Sequence, residues 1–179
     1  MSSEGVMVSR LFDATVLPHL DAAFNYARWL TRNDAEAEDV VQDACVRALR
    51  YFSSLRDDDG RAWFFAIVRN AWYSRIARHA KVTGMTRLNE SGESAADDAL
   101  DPEARLLQQT TVAHVREALD RLPVDFREVI VLREIEGMSY KEIASVVQVP
   151  IGTVMSRLAR GRERLLALLK SEPAVEGGL

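Results

Sequence analysis

The chain has 179 residues, 47% of them hydrophobic, and a formal net charge of −4. That length suits one ordinary domain or two small ones with a packed core. No apolar run reaches membrane-spanning length and the start carries no signal-peptide pattern, so a soluble, cytoplasmic protein without membrane insertion is expected.

Helical periodicity begins early. Phe12, Val16, Leu20, Phe24, Ala27 and Leu30 fall on one helical face, with Pro18 placed to bend or interrupt it. Asn33 or Asp34 can cap a second helix, whose inward face is Ala37, Val41, Ala44, Ala48 and Phe52. Its other face carries Glu38, Asp39, Gln42, Asp43, Arg47 and Arg50. The single cysteine, Cys45, lies in this apolar pattern and reads as a small buried hydrophobe; alone it excludes an internal disulfide. Ser53–Gly60 is a polar loop.

A third helix is expected from about Arg61, over RAWFFAIVRNAWYSRIARHAK. Trp63, Phe64 and Ile67 read as core. Arg69, Arg75 and Arg78, interleaved with aromatics, suit contact with single-stranded nucleic acid by electrostatics and stacking. Residues 82–104 are rich in Ser, Ala, Asp, Glu and Gly, with six acids against Arg87. Such a composition buries too little apolar surface to offset its ordering entropy, so it reads as a flexible acidic linker. The expected fold is therefore all-α, with two small helical domains at 1–81 and 105–170 and a frayed tail at 171–179.

In the second domain, Val112–Leu122 reads as a helix stopped by Pro123. A further helix runs from Val124 to about Glu136 and ends at Gly137. Residues 138–170 then have the pattern of a helix-turn-helix. Ser139 and Glu142 form a capping-box pattern, Gln148 and Val149 make the turn, and Pro150 suits the first turn of the next helix. Val154, Leu158, Gly161, Leu165 and Leu168 or Leu169 form the inward stripe. Thr153, Arg157, Arg160 and Arg164 lie along a neighbouring ridge, with Ser156 and Arg162 beside it. Arginine pairs bidentately with guanine or phosphate, and early serines and threonines hold phosphates, so this ridge suits the major groove.

The charge is unevenly placed. Residues 61–81 hold five basic side chains and no acid, and residues 153–170 hold five and only Glu163. Residues 34–59 hold eight acids and three arginines. Separate basic and acidic patches point to several partners. His19, His79 and His114 are scattered without metal spacing, and no glycine-rich phosphate loop or nucleophile elbow occurs. Enzymatic chemistry, a metal, a cofactor and a small-molecule substrate are not expected.

Three blocks together, AEAEDVVQDACVRALR (35–50), WFFAIVRNAWYSRIAR (63–78) and LPVDFREVIVLREIEGMSYKEIASVVQVPIGTVMSRLARGRERL (122–165), resemble the extracytoplasmic-function (ECF, group 4) sigma factors of bacterial RNA polymerase. The resemblance extends from about Leu11 to Lys170. It implies that the first domain is sigma domain 2 and the second is sigma domain 4. Glu38, Asp39, Gln42, Asp43 and Arg47 would dock on the clamp coiled coil of core RNA polymerase. The loop Ser53–Gly60 would capture a base flipped from the −10 element, and Arg61, Arg69, Asn70, Arg75 and Arg78 would hold the melted strand. Ser139, Tyr140, Lys141, Thr153, Ser156, Arg157, Arg160 and Arg164 would meet the −35 element, while other faces dock on the polymerase flap. An anti-sigma factor is the further partner implied. Met155 and Ala159 depart from the family, where basic or larger side chains are common, and shift weight toward shape readout. The acidic Arg56–Gly60 segment is also unusual near DNA. A stand-alone dimeric helix-turn-helix regulator is the alternative, but no separate dimerisation element is visible.

Overall fold

The computed structural model describes residues 3–55, 59–83 and 102–171, whose regular structure is entirely helical. Helix α1 (Ser3–Val16) leads through a 3₁₀ turn (Leu17–His19) into α2 (Leu20–Thr31). Pro18 sits at the start of that turn, where its missing N–H ends α1, so the apolar face read as one helix is two. Asn33 caps α3 (Asp34–Tyr51), its Oδ1 accepting from the Glu36 N–H at 2.9 Å.

The buried stripe of α3 is Ala37, Val40, Ala44 and Ala48. Val40, rather than the expected Val41, faces inward; Val41 is half-buried at the flank of the stripe. Alanines here let α2 and α4 (Gly60–Thr83) pack closely on α3. Helix α4 is the centre of the molecule. Ala62, Phe64, Phe65, Val68, Ala71 and Trp72 are all buried, because α4 is covered on several sides, by α1, α2, α3 and α7. Phe65 stacks on Tyr26 with ring centroids 5.4 Å apart, and burial of each such phenylalanine contributes about 1.5–3 kcal/mol. Trp63 and Ile67 are half-buried, and Trp63 packs edge-on to Phe52 at the core's rim. Cys45 is likewise half-buried, and burial pushes its thiol pKa up.

The second unit starts with α5 (Pro102–Asp120) and α6 (Val124–Ile130). The single helix expected over 124–136 instead widens into a π-turn at Val131–Ile135, closed by bonds from Glu136 N–H to Val131 O (3.0 Å) and Met138 N–H to Leu132 O (2.9 Å). This widening accompanies full burial of both Val131 and Leu132. Gly137 then turns the chain at φ +66°, a conformation glycine adopts without a Cβ penalty.

Helix α7 (Tyr140–Val147) opens with the expected capping box, and Gln148, at φ 56°, ends it. Helix α8 (Ile151–Ser171) buries Val154, Leu158 and Gly161. Gly161 is required by space: a Cβ there would meet Ile130 Cδ1 at 2.9 Å and Phe126 Cβ at 3.2 Å.

Helix α4 extends to Thr83 and α5 begins at Pro102, so both reach into the 82–104 segment read as linker. The rest of that segment, the tail beyond Ser171, and residues 56–58 of the polar loop lie outside the described residues. The two units pack face to face. Helix α7 lies on α4, α6 lies on α2, and one apolar cluster runs through both units.

Candidate nucleic-acid interface

Helices α7 and α8 of the helix-turn-helix pack against each other, with the Ser139–Glu142 cap opening α7. Ser139 Oγ accepts from the Glu142 N–H (3.2 Å), and Glu142 Oε2 accepts from the Ser139 N–H (2.7 Å). Burial opposes the Glu142 charge, but these Ser139 bonds hold its carboxyl below the usual glutamate value. With Ser139 occupied as a cap, Lys141 is exposed, and Tyr140 is half-buried beneath the Arg133 guanidinium at 4.9 Å.

Along α8, Ser156 and Arg160 are exposed on one face, together with Gly152, Met155 and Ala159. Ser156 Oγ donates back to Thr153 O at 3.0 Å, and Thr153 is half-buried. Arg157 turns inward to Asp125 at 3.2 Å, with 22% of its side chain exposed. Arg164 is exposed and lies 4.8 Å from the Phe126 ring centre. The outward set is thus Lys141, Ser156, Arg160 and Arg164. Ile151, which sequence reasoning did not place in the site, stands exposed beside it at 46%, as does Met155, one of the two positions that depart from the family, at 52%.

The basic side chains of α4 divide into two groups. Arg75, Arg78, His79 and Val82 surround a shallow depression near the end of the helix. Arg75 reaches Asp39 at 3.1 Å and Arg78 approaches Asp43 at 3.9 Å, while Asn70 is exposed. Arg61 and Arg69 point instead toward the second unit. Arg69 donates to both oxygens of Glu128, each at 2.9 Å. Arg61 donates to the Glu136 main-chain carbonyl, and its guanidinium lies 3.7 Å from the Glu136 carboxylate. The five residues assigned to one strand-binding row are therefore separated between two places.

Burial shapes the charges at this seam. It opposes ionisation of Glu128 and raises its pKa, with Arg69 working in the other direction. Burial also works against the charge of Arg69, but Glu128 keeps that guanidinium above the ordinary arginine value. The Tyr73 phenol, against which Arg69 lies at 4.5 Å, is pushed up to about 12 by burial and then by Glu128. Tyr26, wholly buried at the same place, is raised well above the usual tyrosine range by the same two causes.

The acidic face of α3 is partly engaged in pairs. Asp43 holds Arg47 at 2.9 Å, and Arg47 also donates to Ser74 Oγ at 3.3 Å. Glu38 and Gln42 are exposed, and Val46 and Leu49 continue their stripe at 59% and 62% exposure. The signal for these two was available: they are large apolar residues on a helix whose buried face is mostly alanine. Among the described residues, no group of His, Cys, Asp and Glu is placed to hold a metal ion.

Residues 15–82 match Sigma-70 region 2, and residues 114–165 match Sigma-70, region 4. The chain belongs to the ECF RNA polymerase sigma factors. It is 32% identical over 163 residues to the RNA polymerase sigma-H factor of Pseudomonas aeruginosa, covering 87% of this chain and 84% of that protein. It is also 32% identical to the ECF RNA polymerase sigma factor SigE of Mycolicibacterium smegmatis, covering 91% of this chain and 64% of that longer relative. Among solved structures, the sigma factor RpoE in complex with the anti-sigma factor NepR from Bartonella quintana superposes with a TM-score of 0.71 at 30% identity, covering 90% of this chain and 98% of that one. CnrH in complex with the cytosolic domain of CnrY gives 0.65 at 31% identity, with 92% and 90% covered. Matches to both regions in one chain disfavour the stand-alone dimeric regulator. The two regions correspond to the two packed units, so region 2 supplies α2–α4 and region 4 supplies the helix-turn-helix.

Proposed function

We propose that this sigma factor joins core RNA polymerase in the cytoplasm and directs initiation by contacting both elements of its promoters. The observation that carries the reading is the presence, on one chain, of two different basic helix surfaces: α4 in the region 2 unit and α8 in the region 4 unit. The α8 face, with Lys141, Ser156, Arg160 and Arg164 outward, meets the −35 element in the major groove. Arg75 and Arg78 contact phosphates of the melted −10 strand, joined by Asn70, and by Arg61 and Arg69 when the seam between the units opens. Glu38, Asp39, Gln42, Asp43 and Arg47, extended by Val46 and Leu49, form the clamp-binding face of α3.

Such a division explains the net charge of −4. A subunit that shares DNA contact with a large enzyme need not bind DNA unaided. The superposing RpoE and CnrH structures are complexes with NepR and CnrY, and this supports a comparable anti-sigma partner here. The test is Arg160→Ala in reconstituted transcription. If Arg160 reads a base, initiation on a promoter bearing the −35 element falls by about 1–3 kcal/mol in apparent binding, and specificity relaxes at one position. An unaltered dependence on the −35 sequence removes Arg160 from readout.

A further inference from the structure

The outward side of α8 carries two rows at four-residue spacing, which brings the members of each row to neighbouring turns of one face. One row is Gly152, Ser156, Arg160 and Arg164, the polar face described above. The other is Ile151, Met155 and Ala159, and all three are exposed. This apolar row stops at Glu163, so it occupies only the N-terminal half of α8, the part of a recognition helix that meets base edges. On the flank of the row, Arg162 is held back by Glu134, to which its Nε donates at 3.0 Å. The row therefore presents methyl, methylene and thioether groups beside Ser156 and Arg160, with no strong hydrogen-bonding group of its own.

Such a row limits what can lie opposite it. In the major groove guanine, adenine and cytosine present ring nitrogens, carbonyl oxygens or amino groups, and these would lose water against Met155 or Ile151 without gaining a partner. Thymine alone offers an apolar group there, its C5 methyl. The adjoining row carries Arg160 and Arg164, cations suited to phosphates and guanine, and this favours DNA over a protein partner as the occupant.

We propose that Ile151, Met155 and Ala159 are specificity-determining residues that receive thymine methyls, so that the −35 element used by this sigma factor carries thymine close to the base pair met by Arg160. Met155 and Arg160 are five residues apart, about 7.5 Å along the helix axis, so the two positions fall within about two base steps. The proposal rests on, and deepens, the reading of α8 as the −35 surface. It assigns direct apolar contact to Met155 and Ala159, whose departure from the family pattern suggested shape readout.

The test uses the full chain bound to core RNA polymerase and a promoter recovered by mapping RNA 5′ ends. The upstream motif is randomised, bound duplexes are selected and sequenced, and thymine should be enriched beside the position that depends on Arg160. Each enriched thymine is then replaced by uracil, which removes the methyl and leaves every hydrogen-bonding edge in place. Holoenzyme binding to the labelled duplex should weaken about three- to five-fold for a methyl facing Met155. Met155→Ala combined with Ile151→Ala should bind the thymine and uracil duplexes equally. Leu166→Ala removes an equally exposed apolar side chain of the same helix outside the row, and should keep the native preference.

Enriched thymine whose replacement by uracil costs nothing would assign the preference to DNA shape and overturn the proposal. Absence of thymine enrichment also overturns it, while continued dependence of the motif on Arg160 would leave the −35 reading of α8 standing. Equal binding of both duplexes by the native chain, with core affinity lowered in the double variant, would make the row a protein-docking face instead. Binding that ignores the upstream motif altogether would remove the −35 reading itself. The uracil comparison on the native chain needs no substitution, and it decides alone if the double variant fails to fold.

Discussion

Arg69 and Glu128 form a two-pronged ion pair across the seam between the units, with both N–O distances at 2.9 Å and no exposed surface on the carboxylate. They are 59 residues apart in sequence, on α4 and α6. Their pairing joins the region 2 helix proposed to hold a promoter strand to the unit that carries the helix-turn-helix. The arrangement of the two units is therefore directly coupled to the availability of a proposed strand-binding residue.

The first prediction concerns alkaline pH. Tyr73 faces this pair, and its phenol is pushed up to about 12 from the ordinary value of 10.0 by burial and by Glu128. As pH rises past 10.0, an opened chain releases a phenol proton that the closed chain retains. The closed arrangement thus has this contribution in full below the ordinary value and loses it as pH rises toward about 12. The difference in phenolate absorbance between the native chain and Tyr73→Phe should show a group titrating near 12. A group titrating at the ordinary value would mean that Tyr73 is not enclosed by the seam.

The capping box gives a second prediction. Ser139→Ala removes the hydroxyl that accepts from the Glu142 N–H, and should lower stability by about 1 kcal/mol in denaturant titration. The Glu142 carboxyl is held below its ordinary value of 4.5, so its share of the cap is present above that pH and is lost as pH falls through the lowered value. The gap between native chain and Glu142→Gln should accordingly narrow in acid. A gap that is constant with pH would show that the Glu142 charge plays no part in the cap.

Packing at α8 gives the third. Gly161→Ala places a methyl 2.9 Å from Ile130 Cδ1 and 3.2 Å from Phe126 Cβ. Ile130 can shift its terminal carbon, but Phe126 Cβ is tied to its backbone, so overpacking should cost about 1–3 kcal/mol in chemical denaturation. Gly152→Ala, with open space around the glycine in the first turn of α8, should not destabilise the fold, because alanine loses less backbone entropy than glycine on becoming helical. Equal effects of the two substitutions would contradict the packing described for α8.

A fourth prediction separates docking from folding on α3. Val46→Ser with Leu49→Ser alters side chains that are 59% and 62% exposed, so thermal stability should change little while affinity for core polymerase falls. Charge reversal at Asp39 and Asp43 should also weaken core binding, although it additionally breaks their pairs with Arg75 and Arg47. Those pairs are partly exposed and contribute little to stability. Core affinity equal to the native chain in the Val46, Leu49 variant would remove this stripe from the interface.

Much of the fold was legible because local rules decide it. The Pro18 interruption, the Asn33 cap and the Ser139–Glu142 box depend on neighbours within a few residues, and the structure contains all three. Val41 is expected inward but Val40 is the one buried, because the two are neighbours at the edge of the helical face and only the position of α2 and α4 decides between them. The π-turn at Val131–Ile135 left no sequence mark, since its apolar residues fit a regular helix equally well. In the candidate site, residue types and helix faces were readable, but partners were not. Arg61 and Arg69 share a helix and a charge with Arg75 and Arg78, yet their carboxylates come from α6 and the segment after it, which no periodicity on α4 can reveal. Arg157 likewise reads as outward until Asp125 is seen beside it.

Directed initiation by core RNA polymerase is the role proposed for this chain. The most direct measurement is run-off transcription by bacterial core polymerase on fragmented genomic DNA, with RNA 5′ ends mapped in the presence and absence of the protein. New start sites that share two spaced upstream motifs and that diminish with Arg160→Ala are expected. An unchanged set of 5′ ends, together with tight binding of the free protein to a palindromic duplex, would contradict it.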